Sequence, residues 1–236
     1  MVLDGGKRWV TGAVTADHLL VLARHRPGRH FTSFGWVLVP TAAPGVTVRP
    51  TGGGLLAGAG IGHVELRQVR LPAAHLVGRP GRGMALFARH MGTERLAGAY
   101  WAVALGSRTV AATVELLERR TVEDRPLWQH PAVRQQLAGC LVALRQLSAL
   151  ADTLAERITA GPDLAAAALL KAAVGQGIDP VLDRCAHLQG AEGFAPGGAQ
   201  LTRAEAGVLG IGGGVTELML DAVADGAPAL LAELRS

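Results

Sequence analysis

The tract from Gly81 to Arg120 contains no proline, and it limits what the chain can fold into. Its apolar side chains recur at spacings of three to five residues, which is typical of one face of a long α-helix. A helix of about 35 residues spans roughly 50 Å, because each residue adds about 1.5 Å. Such a length suits a bundle of long helices. The residues that define the apolar face are Leu96, Trp101, Leu105, Val110, Val114 and Leu117.

The sequence after this tract is rich in alanine and leucine and predicts further helices. A second helix is predicted from about Pro131 to Ala160, after a break that ends at Pro126. Three more are predicted at about 164–188, 202–209 and 216–223. Together with the proline-free tract, they indicate a long-helix bundle of the four-helix type over residues 81–236.

Residues 1–80 have a different character, because glycine, proline and β-branched residues dominate there. Short apolar runs such as Phe34–Val39 and the alternating segment His63–Arg67 predict strands. Near the amino end, Asp4-Gly5 stands between β-forming residues, which predicts a hairpin. The chain is therefore predicted to have an α+β fold, with a small antiparallel β domain at 1–80 and an α-helical bundle domain at 81–236.

Composition narrows the class of protein. With 49% apolar residues and no stretch that has the length and flanks of a membrane span, we expect a soluble, cytoplasmic protein with no membrane partner. The net charge of +4 comes from scattered arginines and only 4% of residues are aromatic, which argues against a nucleic-acid partner. The same arginines would suit a ligand that carries phosphates. Cys140 and Cys185 lie in apolar helical patterns, so buried thiols are expected and no metal site.

Several short segments stand in a characteristic order along the chain. They are Leu3–Thr11, Val69–Ala73, Glu94-Arg95-Leu96, Arg120, Gln189-Gly190 and Gly213-Gly214. By their order and spacing, and not by any single motif, the chain resembles the acyl-CoA dehydrogenase family over nearly its whole length. Members of that family have an N-terminal helical domain, a middle β domain and a C-terminal helical bundle, and they usually form dimers or tetramers.

The resemblance implies that this chain is the second, partial half of the middle β domain followed by the bundle. The N-terminal helices and the first strands, which carry a flavin- and substrate-contacting loop in the family, have no counterpart in the sequence. We therefore expect a homo- or hetero-oligomer in which a partner chain carries that N-terminal half. FAD is the implied cofactor and an acyl thioester is the implied substrate.

The resemblance also implies a catalytic base. In the family's reaction a carboxylate removes a proton from the carbon α to the thioester while the β hydrogen leaves as hydride to the flavin. Most relatives supply this carboxylate from the loop position that is Gly213 here, whereas some place it on the long helix at the position of Glu94. Glu94 shares a helix face with Gly98 and Trp101. Glu94 is thus the implied base, with an exposed, arginine-paired glutamate as the alternative, and Arg95 is implied to bind substrate.

Further residues are implied as cofactor contacts. Trp9 and Thr11 match an aromatic-x-hydroxyl pair that lies against the isoalloxazine ring. Arg120 matches an arginine that reaches the FAD pyrophosphate of a neighbouring subunit. The pair Gln189-Gly190 belongs to a loop whose backbone approaches the flavin, and Glu217 stands where a polar residue does.

The chain departs from the family pattern at Glu123-Asp124, Ala191, Gly213 and Val215, which replace Phe-Gly, a glycine, the base and a threonine. The first hypothesis is a subunit of an FAD-dependent acyl-CoA or acyl-carrier dehydrogenase that desaturates an acyl thioester, with a partner chain completing it. The alternative is a catalytically inactive structural subunit that completes a partner's flavin site. A third hypothesis is other chemistry on a thioester or a carrier-bound intermediate.

Overall fold

The computed structural model describes residues 1–28, 30–161 and 163–235. The chain divides into two compact units, Met1–Ala88 and Arg89–Ser236, which we call the β unit and the helical unit. A small antiparallel β structure is followed by helices, so the predicted α+β class is confirmed. The predicted boundary at residue 80 falls just inside the β unit.

The β unit contains two three-stranded antiparallel sheets. The strands are β1 Val2–Val10, β2 His18–Arg24, β3 Phe34–Pro40, β4 Val46–Pro50, β5 Gly62–Arg70 and β6 Leu76–Val77. Their orders are β1-β5-β4 and β2-β3-β6. Alternate side chains of both sheets point into one apolar core, in which Val39 and Val69 are completely buried.

The hairpin predicted at Asp4-Gly5 is wrong. β1 runs through this dipeptide and pairs with β5. The Asp4 carboxylate accepts hydrogen bonds from the backbone N–H of Gln68, at 2.8 Å, and from its side-chain amide, at 2.5 Å. The register shifts between Leu3 and Gly5, so the dipeptide lies at an irregularity of the β-bulge kind. The hydrogen bonds from Gln68 of β5 therefore keep Asp4-Gly5 within the strand, and the predicted local turn does not form.

Helices dominate the rest of the chain. They are α1 Gly83–Arg119, α2 Pro131–Ala160, α3 Leu164–Gln189, α4 Ala199–Ala206, α5 Thr216–Asp225 and α6 Ala227–Glu233. A short hairpin of β7 Thr121–Val122 and β8 Arg125–Pro126 lies between α1 and α2. Leucines of the first three helices form the core of the helical unit, where Leu117, Leu170 and Leu182 are completely buried. Cys140 and Cys185 are buried free thiols, as predicted.

Two of these helices, α2 and α3, are long and apolar enough to cross a bilayer by length and composition alone. Each presents a buried stripe to the helical core, for example Leu144 and Leu147 on α2 and Val174 and Ile178 on α3. A stripe of this kind is what core helices of globular proteins carry. Packing within the helical unit therefore accounts for their apolar character.

Candidate active site

Arg95 connects the long helix α1 to the last glycine-rich loop of the helical unit. Its Nε and Nη2 atoms donate to the carbonyl oxygen of Gly213 at 3.2 and 3.1 Å. Arg95 is half-buried, and burial lowers the pKa of its guanidinium while the charge of Glu94 opposes that shift. A guanidinium fork on one carbonyl fixes both the distance and the direction of the loop. The side chain predicted to bind substrate thus holds the loop in place.

Glu94 lies where a side chain at position 213 would begin. A Cβ atom added to Gly213 would come within 3.5 Å of the Glu94 Oε1 atom. Gly213 and Gly214 have φ angles of +74° and +120°, which favour glycine. The loop therefore passes the carboxylate with bare backbone, and the Glu94 carboxylate occupies the space in front of it.

Lys171 is a second cation at this loop. It is only 6% exposed, and its Nζ atom donates to the carbonyl oxygen of Leu209. Burial lowers the pKa of Lys171, the charge of Arg95 lowers it further, and the charge of Glu94 raises it. The Thr216 hydroxyl also donates to the carbonyl oxygen of Gly210, at 3.2 Å. Three side chains from three helices therefore hold carbonyl groups at the start and in the middle of one loop, which we call the anchored loop (residues 209–216).

The surface beside Glu94 is open. Glu94 is exposed, as is Trp101, which is 47% exposed and lies seven residues further along α1. A Cβ atom added to Gly98, between them on the same face, would meet nothing within 4 Å. The face therefore offers a carboxylate, a bare stretch of helix and an aromatic wall, with two cations behind the carboxylate. Such a face can hold an elongated apolar group next to a proton acceptor.

Trp9 and Thr11 lie in the β unit. Trp9 is 69% exposed and has a left-handed backbone with φ of +58°. Its N–H donates to Nδ1 of His63 at 3.2 Å, and its ring meets the His63 ring edge to face with centroids 5.1 Å apart. Thr11 is exposed in the turn after β1 and lines a groove with Trp36. The indole face and the hydroxyl are both available to a ligand.

Arg120 and the pair Gln189-Gly190 come together in the helical unit. The Arg120 Nη1 atom donates to the Gln189 carbonyl oxygen at 3.1 Å, and Gly190 is left-handed with φ of +59°. The Gln189 side chain is buried, where it donates to the Thr113 hydroxyl and accepts from the Ala199 N–H, each at 2.9 Å. The side chain of Gln189 thus connects Thr113 of α1 to Ala199 of α4. The part of this turn that a ligand can contact is its backbone.

Two polar features of the sequence have local structural explanations. Glu123 and Asp124 are left-handed, with φ of +51° and +58°, and form the two-residue turn between β7 and β8. Consecutive left-handed residues are what such a hairpin requires, and aspartate tolerates the conformation. Glu217 is exposed in the first turn of α5, where its charge complements the helix dipole.

Sequence reasoning missed Lys171 and Thr216. The signal for Lys171 is its position, because the chain has two lysines and this one stands within the alanine-rich apolar stretch of α3. A lysine in such a stretch costs free energy unless a partner satisfies it. Thr216 gave no comparable signal, since a threonine at the start of a helix is common.

Two family models match the chain. The acyl-CoA dehydrogenase middle domain matches residues 1–69, and the acyl-CoA dehydrogenase C-terminal domain matches residues 81–227. Acyl-[acyl-carrier-protein] dehydrogenase MbtN of Mycobacterium sp. (strain MCS) is 29% identical over 230 residues, covering 93% of this chain and 57% of that protein. Probable acyl-CoA dehydrogenase FadE2 of Mycobacterium tuberculosis is 30% identical over 202 residues, covering 82% and 50%. The chain thus spans 57% and 50% of the lengths of these curated relatives.

Solved structures share the fold. A probable acyl-CoA dehydrogenase from Mycobacterium abscessus has a TM-score of 0.89 at 24% identity, over 95% of this chain and 60% of that one. The prolyl acyl carrier protein oxidase AnaB has a TM-score of 0.86 at 19% identity, with the same coverage of 95% and 60%. At these identities the likeness concerns the fold alone. Since the C-terminal-domain model alone covers residues 81–227, more than half of the sequence, the chain belongs to the acyl-CoA dehydrogenase family.

Proposed function

We propose that this chain provides the base and part of the flavin site of an FAD-dependent dehydrogenase that forms an α,β double bond in an acyl thioester. Family membership supports the reaction class. The observation that carries the assignment of the base is the position of Glu94, whose Oε1 lies 3.5 Å from where a Cβ atom on Gly213 would stand. The loop has no carboxylate of its own, and the helix supplies one to the same space.

In this proposal Glu94 removes the proton from the carbon α to the thioester carbonyl. Bound FAD would supply the acceptor for the hydrogen on the β carbon. A carboxylate becomes a stronger base when it is covered and loses water, since desolvation raises its pKa. Glu94 is exposed in this chain, so the substrate and the protein that covers it must provide that desolvation. Arg95 and Lys171 hold the carbonyl groups of Gly213 and Leu209 in the loop beside this carboxylate.

The residues of this chain fit a flavin in two respects. The exposed indole of Trp9 and the exposed hydroxyl of Thr11 offer an aromatic face and a hydrogen-bond donor. Arg120 offers a guanidinium beside the left-handed Gly190. Because glycine has no Cβ atom, the backbone at Gly190 can come close to a ligand. We propose that Trp9 and Thr11 of the β unit contact the flavin ring. We also propose that Arg120 reaches the FAD pyrophosphate of a neighbouring subunit, and that the backbone of Gln189 and Gly190 and the carboxylate of Glu217 are further FAD contacts of the helical unit.

The proposed assembly includes a second chain. The exposure of Glu94 supports a pocket that other protein completes, which we place on a partner chain of a homo- or hetero-oligomer. The acyl carrier is coenzyme A or a carrier protein, since both kinds of dehydrogenase occur by name among the relatives. We propose a cytoplasmic location.

Glu94→Gln tests the proposal in the flavin-loaded assembly. The amide keeps the shape of the side chain and cannot accept the proton, so turnover of a saturated acyl thioester should fall by about 10²- to 10⁴-fold. The flavin absorbance should stay unchanged. Glu115→Gln, which alters another exposed glutamate of α1, is the matched control and should leave turnover intact. Unchanged turnover in Glu94→Gln would remove Glu94 as the base and favour the alternative, a structural subunit that completes a partner's flavin site.

A further inference from the structure

Charge is distributed very unevenly between the two units. The β unit has ten lysines and arginines against three carboxylates, a net charge of +7 with histidine neutral. The helical unit has thirteen against sixteen, a net charge of −3. A strong asymmetry of this kind points to an anionic partner for the basic part.

Part of this excess lies on one face of the sheet β1-β5-β4. The opposite face buries Leu3, Val64 and Leu66 in the core. The outer side forms a groove that carries one arginine from each of the three strands, a histidine and a single carboxylate, which we call the basic groove (Arg8, Arg49, His63, Glu65 and Arg67). Lys7 lies at its edge and donates from Nζ to the carbonyl oxygen of Leu22 on the other sheet, at 3.0 Å. Because its opposite face is the buried one, the basic groove is a surface face and not an exposed core.

The single carboxylate of the groove does not neutralise it. Glu65 lies 2.6 Å from an Arg67 nitrogen and 3.7 Å from an Arg49 nitrogen. The side chains of Arg49 and Arg67 nevertheless remain 71% and 75% exposed. The Arg67 Nε and Nη2 atoms both donate to Glu65 Oε1, at 2.8 and 2.6 Å. Ion pairs this exposed contribute little to stability, so carboxylates of a partner can compete with Glu65 for both guanidinium groups.

The shape of the groove distinguishes between anionic partners. Its three exposed arginines, Arg8, Arg67 and Arg49, stand on the adjacent strands β1, β5 and β4, which lie about 4.8 Å apart. A site for one phosphate gathers donors around a single point, usually with a buried cation or a helix N-terminus. An extended row of exposed cations instead matches a row of carboxylates on another protein, such as an acidic helix.

We propose that the basic groove docks an acidic acyl carrier protein, which presents the acyl thioester on its flexible phosphopantetheine arm. This proposal rests on the proposed function, and it selects the carrier-bound thioester over free acyl-CoA as the substrate. Complementary charge would act mainly on encounter, since exposed charges steer association and are screened by salt.

The test compares one acyl group on two carriers in the flavin-loaded assembly. Substrates are a butyryl group on coenzyme A and the same group on a holo acyl carrier protein. The double charge reversal Arg49→Glu/Arg67→Glu should raise KM for the carrier-bound substrate about tenfold or more, because like charges would then meet at the groove. The kcat/KM for butyryl-CoA should change by less than about twofold, since a free thioester does not need the groove.

Two further variants give the sign of the effect. Glu65→Gln removes the carboxylate from the groove and should lower KM for the carrier-bound substrate. Arg145→Glu, at an exposed position of α2 in the helical unit, carries the same type of charge change elsewhere and should have no effect. Raising the salt concentration tenfold shortens the screening length about threefold and should erase the difference between wild type and the double variant.

Each result has a definite reading. If Arg49→Glu/Arg67→Glu lowered kcat/KM equally for both substrates, with thermal unfolding unchanged, the docking proposal would be overturned and the dehydrogenase proposal would stand. An unchanged KM for the carrier-bound substrate would overturn it as well. Absence of turnover by the wild-type assembly on either substrate would instead be a failure of the proposed function.

Discussion

The Glu94 carboxylate of α1 and the backbone of Gly213 face the same small space, with Oε1 3.5 Å from where a Cβ atom on Gly213 would stand. A carboxylate attached to the loop and one attached to the helix would therefore reach the same region. Arg95 keeps the two elements in this relation through its two hydrogen bonds to the Gly213 carbonyl.

The first prediction is that the base can be moved from the helix to the loop. Glu94→Ala should abolish most desaturation, and Glu94→Ala/Gly213→Glu should recover at least about tenfold over that variant, because a positioned base contributes about 10²- to 10⁴-fold. Recovery should be incomplete, since a side chain at φ of +74° is strained. Turnover of a butyryl thioester is the measurement.

Glu94→Ala/Gly213→Ala is the control for this prediction, because it introduces the same backbone strain without a carboxylate. It should be as inactive as Glu94→Ala. Equal activity in the two double variants would show that the loop cannot place a base in this space.

The second prediction concerns Lys171. Lys171→Met removes a buried cation and a hydrogen bond to the Leu209 carbonyl, effects that oppose each other, so unfolding in urea should change by no more than about 1 kcal/mol. Turnover should still fall about tenfold, because one fixed end of the anchored loop is released. Lys7→Met, which alters the other lysine of the chain, should leave turnover of an acyl-CoA unchanged.

The pH dependence of this variant has a definite sign. Burial lowers the pKa of Lys171, so the unfolded chain holds the proton more tightly than the folded protein. Wild-type stability relative to Lys171→Met should therefore rise as pH approaches the ordinary lysine pKa of about 10.4. A difference that falls over this range would contradict the assignment of Lys171 as a buried cation.

The third prediction concerns the start of α3. Asp163 caps this helix by accepting the Ala166 N–H at 2.9 Å, and its other oxygen accepts from Arg157 at 3.0 Å. The hydrogen bond from Ala166 lowers the pKa of Asp163, partial burial opposes this, and Arg157 adds to the lowering. Asp163→Ala should cost about 1 kcal/mol at neutral pH, whereas Asp163→Asn should cost less, because asparagine also caps helices.

The Asp163 contribution should decrease in acid. A carboxyl group with a lowered pKa stabilises the fold above its ordinary pKa of about 3.9, and loses the contribution of its charge as pH falls through the folded value. The difference in urea unfolding between wild type and Asp163→Ala should therefore shrink as pH falls below about 3.9. A gap that stays constant with pH would rule out the charged cap.

The fourth prediction concerns the contact of α3 with the anchored loop. A Cβ atom at Gly175 would overlap the Thr216 hydroxyl oxygen, so Gly175→Ala should destabilise the protein by about 1–3 kcal/mol. Thr216→Ala in the same chain should relieve part of this loss, which a double-mutant cycle in urea would measure. Gly139→Ala on α2, where an added Cβ meets nothing within 4 Å, should instead stabilise by about 0.5–1 kcal/mol. Strictly additive losses would contradict the overlap.

Local sequence patterns predicted the long helices closely because their signals are periodic and bounded. The predicted span of α2, from Pro131 to Ala160, agrees with the structure. Where the deciding contact is remote, the prediction was wrong, as at Asp4-Gly5, because Gln68 is 64 residues from Asp4 along the chain. The periodic signal also weakened at the end of the chain, where α6 (Ala227–Glu233) was not predicted.

In the candidate site too, the contacts that the sequence did not predict join residues far apart along the chain. Glu94 and Arg95 were identified by resemblance, and their roles stay predictions. The sequence offered no local sign that Arg95 would bond to Gly213, 118 residues away, or Lys171 to Leu209, 38 residues away. Such contacts depend on how three helices pack, and single-sequence periodicity does not encode packing partners.

The anchored loop has a consequence for how this protein can change. Arg95, Lys171 and Thr216 hold it by its carbonyl groups, which every amino acid has. Apart from the Thr216 hydroxyl and the left-handed glycines at 213 and 214, the contacts that fix the path of the loop do not depend on its own side chains. Ile211, which is 66% exposed, is a position where new chemical groups can be introduced while the backbone stays in place. Substitutions on the loop can therefore change the side chains beside Glu94, and with them the substrates that fit, without changing the fold.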